Sequence, residues 1–221
     1  MSTAYLTIDD APSATLPEKL AVLEERDVRV VFFCEGQRLA DHADHARRAV
    51  EAGHLLGNHA YAHNHASDVS VEEFADGLDR TEAAIDEVYE TADAERPAKL
   101  FRFPFGDRGG DRAEEFQAVL AERGFRPPDA EMIDYEFWAD HAGYRDWFWT
   151  VDVEDYNVDA TAALAENVAD AADRLEGDSR DVLLFHDGGN SVDLLEGYLD
   201  LLDERGVAFG DPLDLVDGGD A

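Results

Sequence analysis

The stretch Ala4-Tyr5-Leu6-Thr7-Ile8-Asp9-Asp10, AYLTIDD, is a short apolar run that ends in two carboxylates. The same arrangement recurs four times along the chain: "HLL" precedes "GNHAYAH", "LFRF" precedes "PFGD", "WFWTV" precedes "DVED", and "VLLF" precedes "HDGG". When parallel strands share a barrel, their carboxyl ends converge on one face. The five polar clusters therefore predict a single site on that face.

Short apolar runs predict the strands, and the amphipathic segments between them predict helices. The predicted strands are Ala4–Ile8, Val28–Phe33, Lys99–Phe103, Trp147–Val151, Val182–Phe185 and Val207–Phe209, with His54–Leu56 as a weaker seventh. The predicted helices are Pro17–Arg26, Leu39–Ala52, Val71–Thr91, Arg112–Arg123, Thr161–Leu175 and Val192–Arg205. This alternation indicates an α/β fold with a parallel sheet covered by helices.

About seven strands are compatible with an open, doubly wound sheet or with a (β/α) barrel. No glycine-rich phosphate loop follows the first strand, which argues against a nucleotide-binding fold. The 221 residues contain no linker-like segment, low-complexity block or fixed repeat. We therefore predict one domain over residues 1–221.

The chain is strongly acidic, with 52 acidic residues, 18 basic residues and a net charge of −34. Its 45% hydrophobic content and regular apolar runs indicate a folded protein rather than a disordered one. Concentrated salt screens self-repulsion of this size, since the Debye length falls to about 3 Å at 1 M. We predict adaptation to a salt-rich cytoplasm. So acidic a surface repels phosphate backbones, and no nucleic-acid partner is expected.

Cys34 is the only cysteine, so an intrachain disulfide is excluded and secretion is not indicated. The first residues show no basic segment followed by an apolar one, and no apolar run reaches about 18 residues. These features predict a soluble, cytoplasmic protein without a membrane partner.

His59 and His63 are four residues apart, a spacing that brings both rings to one side of a helical turn or to two points of a tight loop. Two imidazoles and a carboxylate form a common catalytic metal site. Such a pair also arises by chance in polar loops. Asp9 and Asp10, at another strand end, favour the metal site, in which one carboxylate ligates and the other accepts a proton. In isolation, the two aspartates would read as a helix cap before Pro12.

His186 ends the most apolar strand, where an imidazole could protonate a leaving group if a carboxylate orients it. Asp152 and Asp155 are the candidates for that carboxylate; a histidine that only caps the barrel is the alternative. Arg102 lies in an otherwise apolar strand and needs an acidic partner if it is buried, for which Asp9 is a candidate.

Two further segments have candidate roles. The turn at Pro104-Phe105-Gly106 could direct a backbone N–H at a developing oxyanion. The segment from Arg126 to Arg145 carries four aromatic residues, Tyr135, Phe137, Trp138 and Tyr144. They predict either a loop that shapes a glycan site or an additional core or dimer patch.

In order along the chain, the five clusters resemble the motifs of the polysaccharide deacetylases of the NodB-homology family. The corresponding segments are "TIDDA" (Thr7–Ala11), "HAYAH" (His59–His63), "RFPFG" (Arg102–Gly106), "DVEDY" (Asp152–Tyr156) and "LLFH" (Leu183–His186). The resemblance runs from about Thr7 to His186. It implies a distorted (β/α) barrel and hydrolysis of an N-acetyl or O-acetyl group on a sugar.

The resemblance also implies roles for individual residues. Asp10, His59 and His63 correspond to the ligands of a divalent metal, most often zinc or cobalt. Asp9 corresponds to the general base. Arg102 corresponds to the residue that holds the base. His186 corresponds to the general acid, and Asp152 to the residue that tunes it. Phe105 corresponds to the residue whose backbone N–H binds the oxyanion.

The chain departs from the family pattern at four positions: Ala11 replaces glycine, Ala60 a hydroxyl residue, Phe105 tyrosine and Tyr156 tryptophan. None of these changes removes an implied ligand, base or acid. The leading hypothesis is a metal-dependent deacetylase acting on an N-acetylated saccharide. The alternatives are a non-catalytic relative that binds a sugar or metal, and a hydrolase of another small amide on the same fold. His65 matches no ligand position, and a supporting or surface role is expected for it.

Overall fold

The computed structural model describes residues 2–133, 143–175 and 180–216. Within these residues, six strands run parallel in one sheet. They are β1 (Thr3–Ala11), β2 (Val31–Cys34), β3 (Leu55–Asn58), β4 (Val151–Asp152), β5 (Arg180–His186) and β6 (Ala208–Phe209). The predicted α/β class with a parallel sheet is thereby confirmed.

The sheet has the strand order β3-β2-β1-β5-β4, with β6 paired to the first residues of β1. Strand β1 is central in this order. It pairs with β5 over seven consecutive positions, from Thr3 with Arg180 to Asp9 with His186. On the other side, Cys34 at the end of β2 pairs with Asn58 at the end of β3. The register alone therefore brings Asp9, His186 and the residues after Asn58 to one edge of the sheet.

Two of the predicted strands are only partly formed. Residues 99–103 make isolated parallel bridges, at Phe101 with Asn58 and at Lys99 with Phe125. Of residues 147–151, only Val151 belongs to a strand. The N–H of Trp147 donates to the Phe101 carbonyl, whereas the N–H of Thr150 donates to the Val182 carbonyl. Residues 147–150 cross from one neighbour to the other and form a regular ladder with neither, so the ladders among the described residues do not close the barrel.

Seven α-helices lie in the described part of the chain. They are α1 (Leu16–Glu25), α2 (Gly36–Glu51), α3 (Val71–Thr91), α4 (Ala113–Glu122), α5 (Thr161–Asp170), α6 (Ala172–Leu175) and α7 (Val192–Glu204). Helix α3 has the predicted bounds. Helices α1 and α4 differ from theirs by one residue at each end, and α7 by one residue at its carboxyl end. The predicted helix from 161 to 175 is two helices, because the first ends at Asp170 with Ala171 as its C-cap and the second begins at Ala172. The adjoining alanines carry no stop signal, so the break was not predictable.

Helix α2 begins three residues earlier than predicted, at Gly36. The N–H groups of Gly36 and Gln37 donate to the carbonyls of Ala60 and Tyr61, which satisfies donors that a first helical turn otherwise leaves free. A Cβ at position 36 would lie 2.4 Å from the Tyr61 ring. Glycine at this position therefore lets the loop that follows β3 dock on the start of α2.

The strands separate two apolar layers because alternate residues face opposite sides. Leu6 and Ile8 of β1 pack with the covering helices in the larger core cluster. Tyr5 faces the opposite side of the sheet, where it packs with Phe33 and Trp147. Thr7 and Asp9 lie on the same face as Tyr5. Strand β1 therefore places the Asp9 carboxylate on this face, at the carboxyl end of the strand.

No helix among the described residues combines the length and the apolar character that crossing a membrane requires.

Candidate active site

Three side chains at the carboxyl edge of the sheet form a candidate metal centre. Asp10 lies at the carboxyl end of β1, and His59 and His63 lie in the loop after β3. The Oδ1 atom of Asp10 is 3.1 Å from His63 Nε2 and 3.6 Å from His59 Nε2. One ligand atom from each of the three lies within 4.8 Å of the others. A single cation could contact all three atoms.

The His59 ring is fixed by a hydrogen bond on the side away from Asp10. Its Nδ1 lies 2.9 Å from the carbonyl oxygen of Arg102, an acceptor, so Nδ1 carries the proton and Nε2 keeps its lone pair. The side chain is almost fully buried, and burial lowers the pKa of the imidazole below its ordinary value. A neutral ring oriented by an outer hydrogen bond is the form that ligates a metal.

Asp10 has the properties expected of a carboxylate that ligates a cation. Burial raises its pKa, but the contact with His63 and the charges of His59 and His63 outweigh burial and lower it to about 2. Although His63 Nε2 is 3.1 Å away, the two groups are not aligned as a hydrogen bond, and Asp10 Oδ1 is buried without a hydrogen-bond partner in the described structure. A buried unpaired oxygen costs about 1–3 kcal/mol. The two nitrogens and one oxygen fit zinc or a similar divalent ion.

Asn58 shapes the loop that carries both histidines. Its side-chain oxygen accepts the N–H of Ala60, and its amide group donates to the Leu78 carbonyl and to Glu82. Ala60 has φ of 61°, a left-handed conformation that non-glycine residues rarely adopt. The fully buried Asn58 thus holds the turn that sets the spacing between His59 and His63.

Asp9 is held by a buried arginine, as the sequence predicted. Arg102 Nη1 lies 2.8 Å from Asp9 Oδ1 and 2.7 Å from Thr7 Oγ1, and both charged side chains are almost completely inaccessible to solvent. The second carboxylate oxygen of Asp9 lies 3.7 Å from His59 Nε2. One oxygen of Asp9 is therefore anchored while the other faces the candidate metal centre.

On the opposite side of the site, His186 is paired with Asp155. The ring Nδ1 lies 3.0 Å from Asp155 Oδ1, and the backbone N–H of His186 donates to Asp155 Oδ2 at 2.8 Å. Asn190 also donates to this carboxylate, which is fully buried. Burial lowers the pKa of His186, but the hydrogen bond and charge of Asp155 outweigh it and raise the pKa to about 9. His186 is therefore protonated at neutral pH.

A buried ion pair ties helix α1 to the residue that follows β5. Lys19 Nζ donates to the Asp187 carboxylate at 2.7 Å and to its carbonyl at 2.6 Å, and both side chains are fully buried. The backbone N–H and the hydroxyl of Ser13 donate to the same carboxylate. The Asp187 N–H donates to the Asp9 carbonyl. The network fixes the distance between Asp9 and His186.

Backbone strain is concentrated around these side chains. Seven described non-glycine residues have positive φ, and five of them lie in or beside the site: Asp10, Ala60, His63, Phe105 and Glu154. Each such residue costs about 1–3 kcal/mol and persists only where its surroundings hold it. In the turn at the end of β1, Asp10 has the positive φ and the following residue, Ala11, does not. Ala11 is fully buried in the core. Alanine in place of the family's glycine is therefore accommodated without strain.

The side chains line a cleft of about 370 Å³, within the size range of small-ligand sites. Its walls include Phe105, Trp149 and Tyr156. Phe105 is 57% exposed and Tyr156 is 56% exposed, and they are the exposed large hydrophobic residues of the described structure. The Tyr156 ring meets His186 edge-on, with centroids 5.3 Å apart. Two solvent-exposed aromatic rings thus border a polar cleft floor.

A family model described as polysaccharide deacetylase matches residues 1–128, more than half of the chain. The chain belongs to the polysaccharide deacetylase family. A peptidoglycan-N-acetylglucosamine deacetylase of Bacillus cereus is 29% identical over 213 residues, which cover 93% of this chain and 67% of that protein. The chain therefore spans about two thirds of this relative's length.

Solved structures show the same fold. A family 4 carbohydrate esterase from Streptomyces lividans, in complex with acetate, has a TM-score of 0.70 and 24% identity, covering 96% of this chain and 95% of that one. A pseudoenzyme of the CE4 family from Bacillus anthracis has a TM-score of 0.69 and 24% identity, covering 97% of this chain and 65% of that one. Similarity at this identity shows the fold, which here includes an enzyme and a pseudoenzyme.

The structure brings together every site residue that the polysaccharide deacetylase resemblance implied. All of them line the cleft except Arg102, which is buried behind Asp9. One assignment is corrected: the partner of His186 is Asp155, not Asp152. Asp152 instead accepts the N–H of Glu154, whose left-handed backbone (φ of 50°) turns the chain so that Asp155 enters the interior. The aromatic residues Tyr135, Phe137 and Trp138 lie outside the described residues.

Sequence reasoning missed Lys19, Asp187 and Asn58. Two features of the sequence could have singled out Lys19. It is one of only two lysines among the 18 basic residues, and it lies beside apolar Leu20 on a helix that faces the core. Asn58, directly before His59, carried no signal that separates it from an ordinary polar loop residue.

Replacing Asp155 by asparagine should move the alkaline limb of the pH–rate profile to lower pH. Without the hydrogen bond and charge of Asp155, burial is opposed mainly by the weaker effects of the Asp9 and Asp10 charges, so the pKa of His186 falls from about 9 and less of the ring is protonated at neutral pH. The measurement is kcat/KM against pH for both proteins. Asp152→Asn is the matched control and should shift the limb little. A shift in the control but not in Asp155→Asn would contradict the corrected pairing.

Proposed function

We propose that this chain is a divalent-metal-dependent deacetylase that hydrolyses the N-acetyl group of an amino sugar within a saccharide. A single observation carries the proposal. The carboxylate and two imidazoles of a metal centre, an anchored carboxylate and a protonated imidazole all face one cleft. A protein that only bound a sugar would not need the last two groups.

Asp10, His59 and His63 would hold the cation. When bound there, a divalent ion lowers the pKa of a coordinated water and polarises the acetyl carbonyl. Asp9 accepts a proton from the attacking water, and the hydrogen bond from Arg102 orients the Asp9 carboxylate. His186, protonated and oriented by Asp155, donates a proton to the departing amine nitrogen. The backbone N–H of Phe105 is the proposed additional donor to the oxyanion.

The sugar would lie between the exposed rings of Phe105 and Tyr156, since aromatic faces pack against the apolar faces of pyranose rings. The name of the Bacillus cereus relative supports N-acetylglucosamine as the acetylated unit. The acidic surplus of the chain supports a salt-rich working medium, and a cytoplasmic location is part of the proposal.

The test is acetate release in molar KCl from N-acetylglucosamine monomers, oligomers and nucleotide-linked forms, and from acetylated xylan. Each substrate is incubated with Zn²⁺ or Co²⁺ and again with chelator. We expect metal-dependent acetate release from at least one N-acetylated saccharide. Acetate release from xylan alone would indicate that the protein hydrolyses O-acetyl esters rather than N-acetyl amides. No release from protein with a loaded metal site would overturn the proposal and favour a non-catalytic role or another amide.

A further inference from the structure

Asn58, the residue before His59, is held by two acceptors on helix α3. Its Nδ2 group donates to Glu82 Oε1 at 3.0 Å and to the Leu78 carbonyl at 3.2 Å. On the other side of the same amide, Oδ1 accepts the N–H of Ala60 at 2.9 Å. Asn58 is fully buried and Glu82 is 6% exposed, so these contacts are closed to solvent.

The acceptors on α3 determine which way round the Asn58 amide lies. If the amide were turned over, its oxygen would face the Glu82 carboxylate and the Leu78 carbonyl, and its NH₂ group would face the N–H of Ala60. Acceptors would then meet an acceptor and a donor would meet a donor, away from water. Hydrogen bonds to ionised groups are about twice as strong as neutral ones, so Glu82 contributes most to this orientation.

Arg96 holds the Glu82 carboxylate in place. Its Nη1 lies 2.9 Å from Oε2 and its Nη2 lies 3.2 Å from Oε1, and the two side chains are only 10% and 7% exposed. Nη1 also donates to Asp86 Oδ1 at 2.8 Å, and Lys99 Nζ lies 3.7 Å from Glu82 Oε2. A bidentate guanidinium fixes the orientation of a carboxylate as well as its position. Glu82 therefore presents Oε1 to Asn58 in a fixed geometry.

The turn at Ala60 connects this network to the candidate metal centre. Ala60 has φ of 61° and no polar side chain, and such a backbone persists only where its surroundings hold it. Its N–H is held by Asn58, and its carbonyl accepts the hydroxyl of Thr81 at 3.2 Å. Because the turn lies between His59 and His63, a change in it changes the separation of the two imidazoles.

We propose that Glu82, held by Arg96, is a positioning residue of the metal centre, which acts through Asn58 to set the separation of His59 and His63. The inference rests on the proposed function, because it concerns the same metal centre. Glu82 is not among the three ligand groups and does not line the cleft. Residues that hold a metal ligand from outside contribute about 10–100-fold to metal affinity. Glu82 acts one residue further away, so the lower end of this range is expected.

The test is titration of chelator-treated protein with Zn²⁺, which compares wild type, Glu82→Ala, Glu82→Gln and Asp86→Ala. For Glu82→Ala, we expect the Kd for Zn²⁺ to rise by about 10-fold, because Asn58 loses its charged acceptor. Glu82→Gln keeps an oxygen that can accept from Asn58 and should restore most of the affinity. Asp86→Ala is the matched control, since it removes the other carboxylate of Arg96 and leaves Asn58 untouched. Its Kd should equal that of wild type.

A second variant guards against loss of the fold. Glu82→Ala leaves the largely buried Arg96 with one carboxylate fewer, so thermal unfolding is recorded for every protein. Glu82→Met/Arg96→Met removes both charges of the pair, a change that proteins often tolerate. The double variant should raise the Kd as Glu82→Ala does, and it decides the test if Glu82→Ala is unfolded at the assay temperature.

A rise in Kd that is confined to Glu82→Ala and the double variant would support the inference. An unchanged Kd in either folded variant, an equal rise in Asp86→Ala, or no recovery in Glu82→Gln would overturn it while leaving the proposed function intact. A wild type that bound no Zn²⁺ would overturn the proposed function, and this inference with it.

Discussion

Asp9→Asn should abolish nearly all acetate release while the protein keeps its metal. Asp9 is not among the three ligands, and its Oδ1 atom is bonded to Arg102 and not to the metal centre. Asparagine keeps an oxygen for that bond but cannot accept a proton. Loss of a general base costs about 10²–10⁴-fold in rate. The measurement is kcat, together with the metal bound per chain.

Asp152→Asn is the matched control, since Asp152 lines the same cleft but is given no proton-transfer role. Removing one charge of a buried pair costs up to about 3–5 kcal/mol, so thermal unfolding of Asp9→Asn must be followed to confirm that it is folded at the assay temperature. If folded Asp9→Asn protein lost its metal, the division between base and ligand would be wrong.

His59→Ala should lose both metal and activity. The substitution removes one of three ligand groups and the hydrogen bond to the Arg102 carbonyl. Changing only an outer hydrogen-bonding partner of a metal site costs about 10–100-fold in affinity, and removal of a ligand should exceed that. The affinity is measured by titration of chelator-treated protein with Zn²⁺.

His54→Ala is the control for this substitution. His54 is buried just before the same strand, β3, its Nδ1 accepts the N–H of Val30, and it is not one of the three proposed ligands. Its replacement should lower stability but leave metal affinity unchanged. Equal loss of metal in both variants would indicate a general loosening of β3 rather than loss of a ligand.

The sequence was sufficient to place the site because strand ends are local features. A run such as AYLTI reads as a strand by itself, and the parallel arrangement brings the residues after each strand to one edge. Asp9, Asp10, His59 and His186 could be grouped in this way without knowledge of any long-range contact. Because a buried guanidinium requires a carboxylate, Asp9 was a candidate partner of Arg102, and the family resemblance implied that pairing.

The choice between Asp152 and Asp155 could not be made from the sequence. Both carboxylates follow the same strand within three residues, and only the left-handed turn at Glu154 determines which one becomes buried. The irregular pairing of residues 147–150 also depends on long-range contacts, since the N–H groups of Trp147 and Thr150 donate to different neighbouring segments. Lys19 was missed because its partner, Asp187, lies 168 residues away in the chain, and a helical pattern does not reveal so distant a contact.

The central claim is that Asp10, His59 and His63 hold a divalent ion on which deacetylation depends. Its most direct test is a titration of chelator-treated protein with Zn²⁺, with bound metal and acetate release measured in the same samples. We predict that acetate release rises in proportion to bound metal and reaches its maximum at one ion per chain, and that His59→Ala shows neither increase. Full acetate release from metal-free protein, or its absence at one bound ion per chain, would contradict this account.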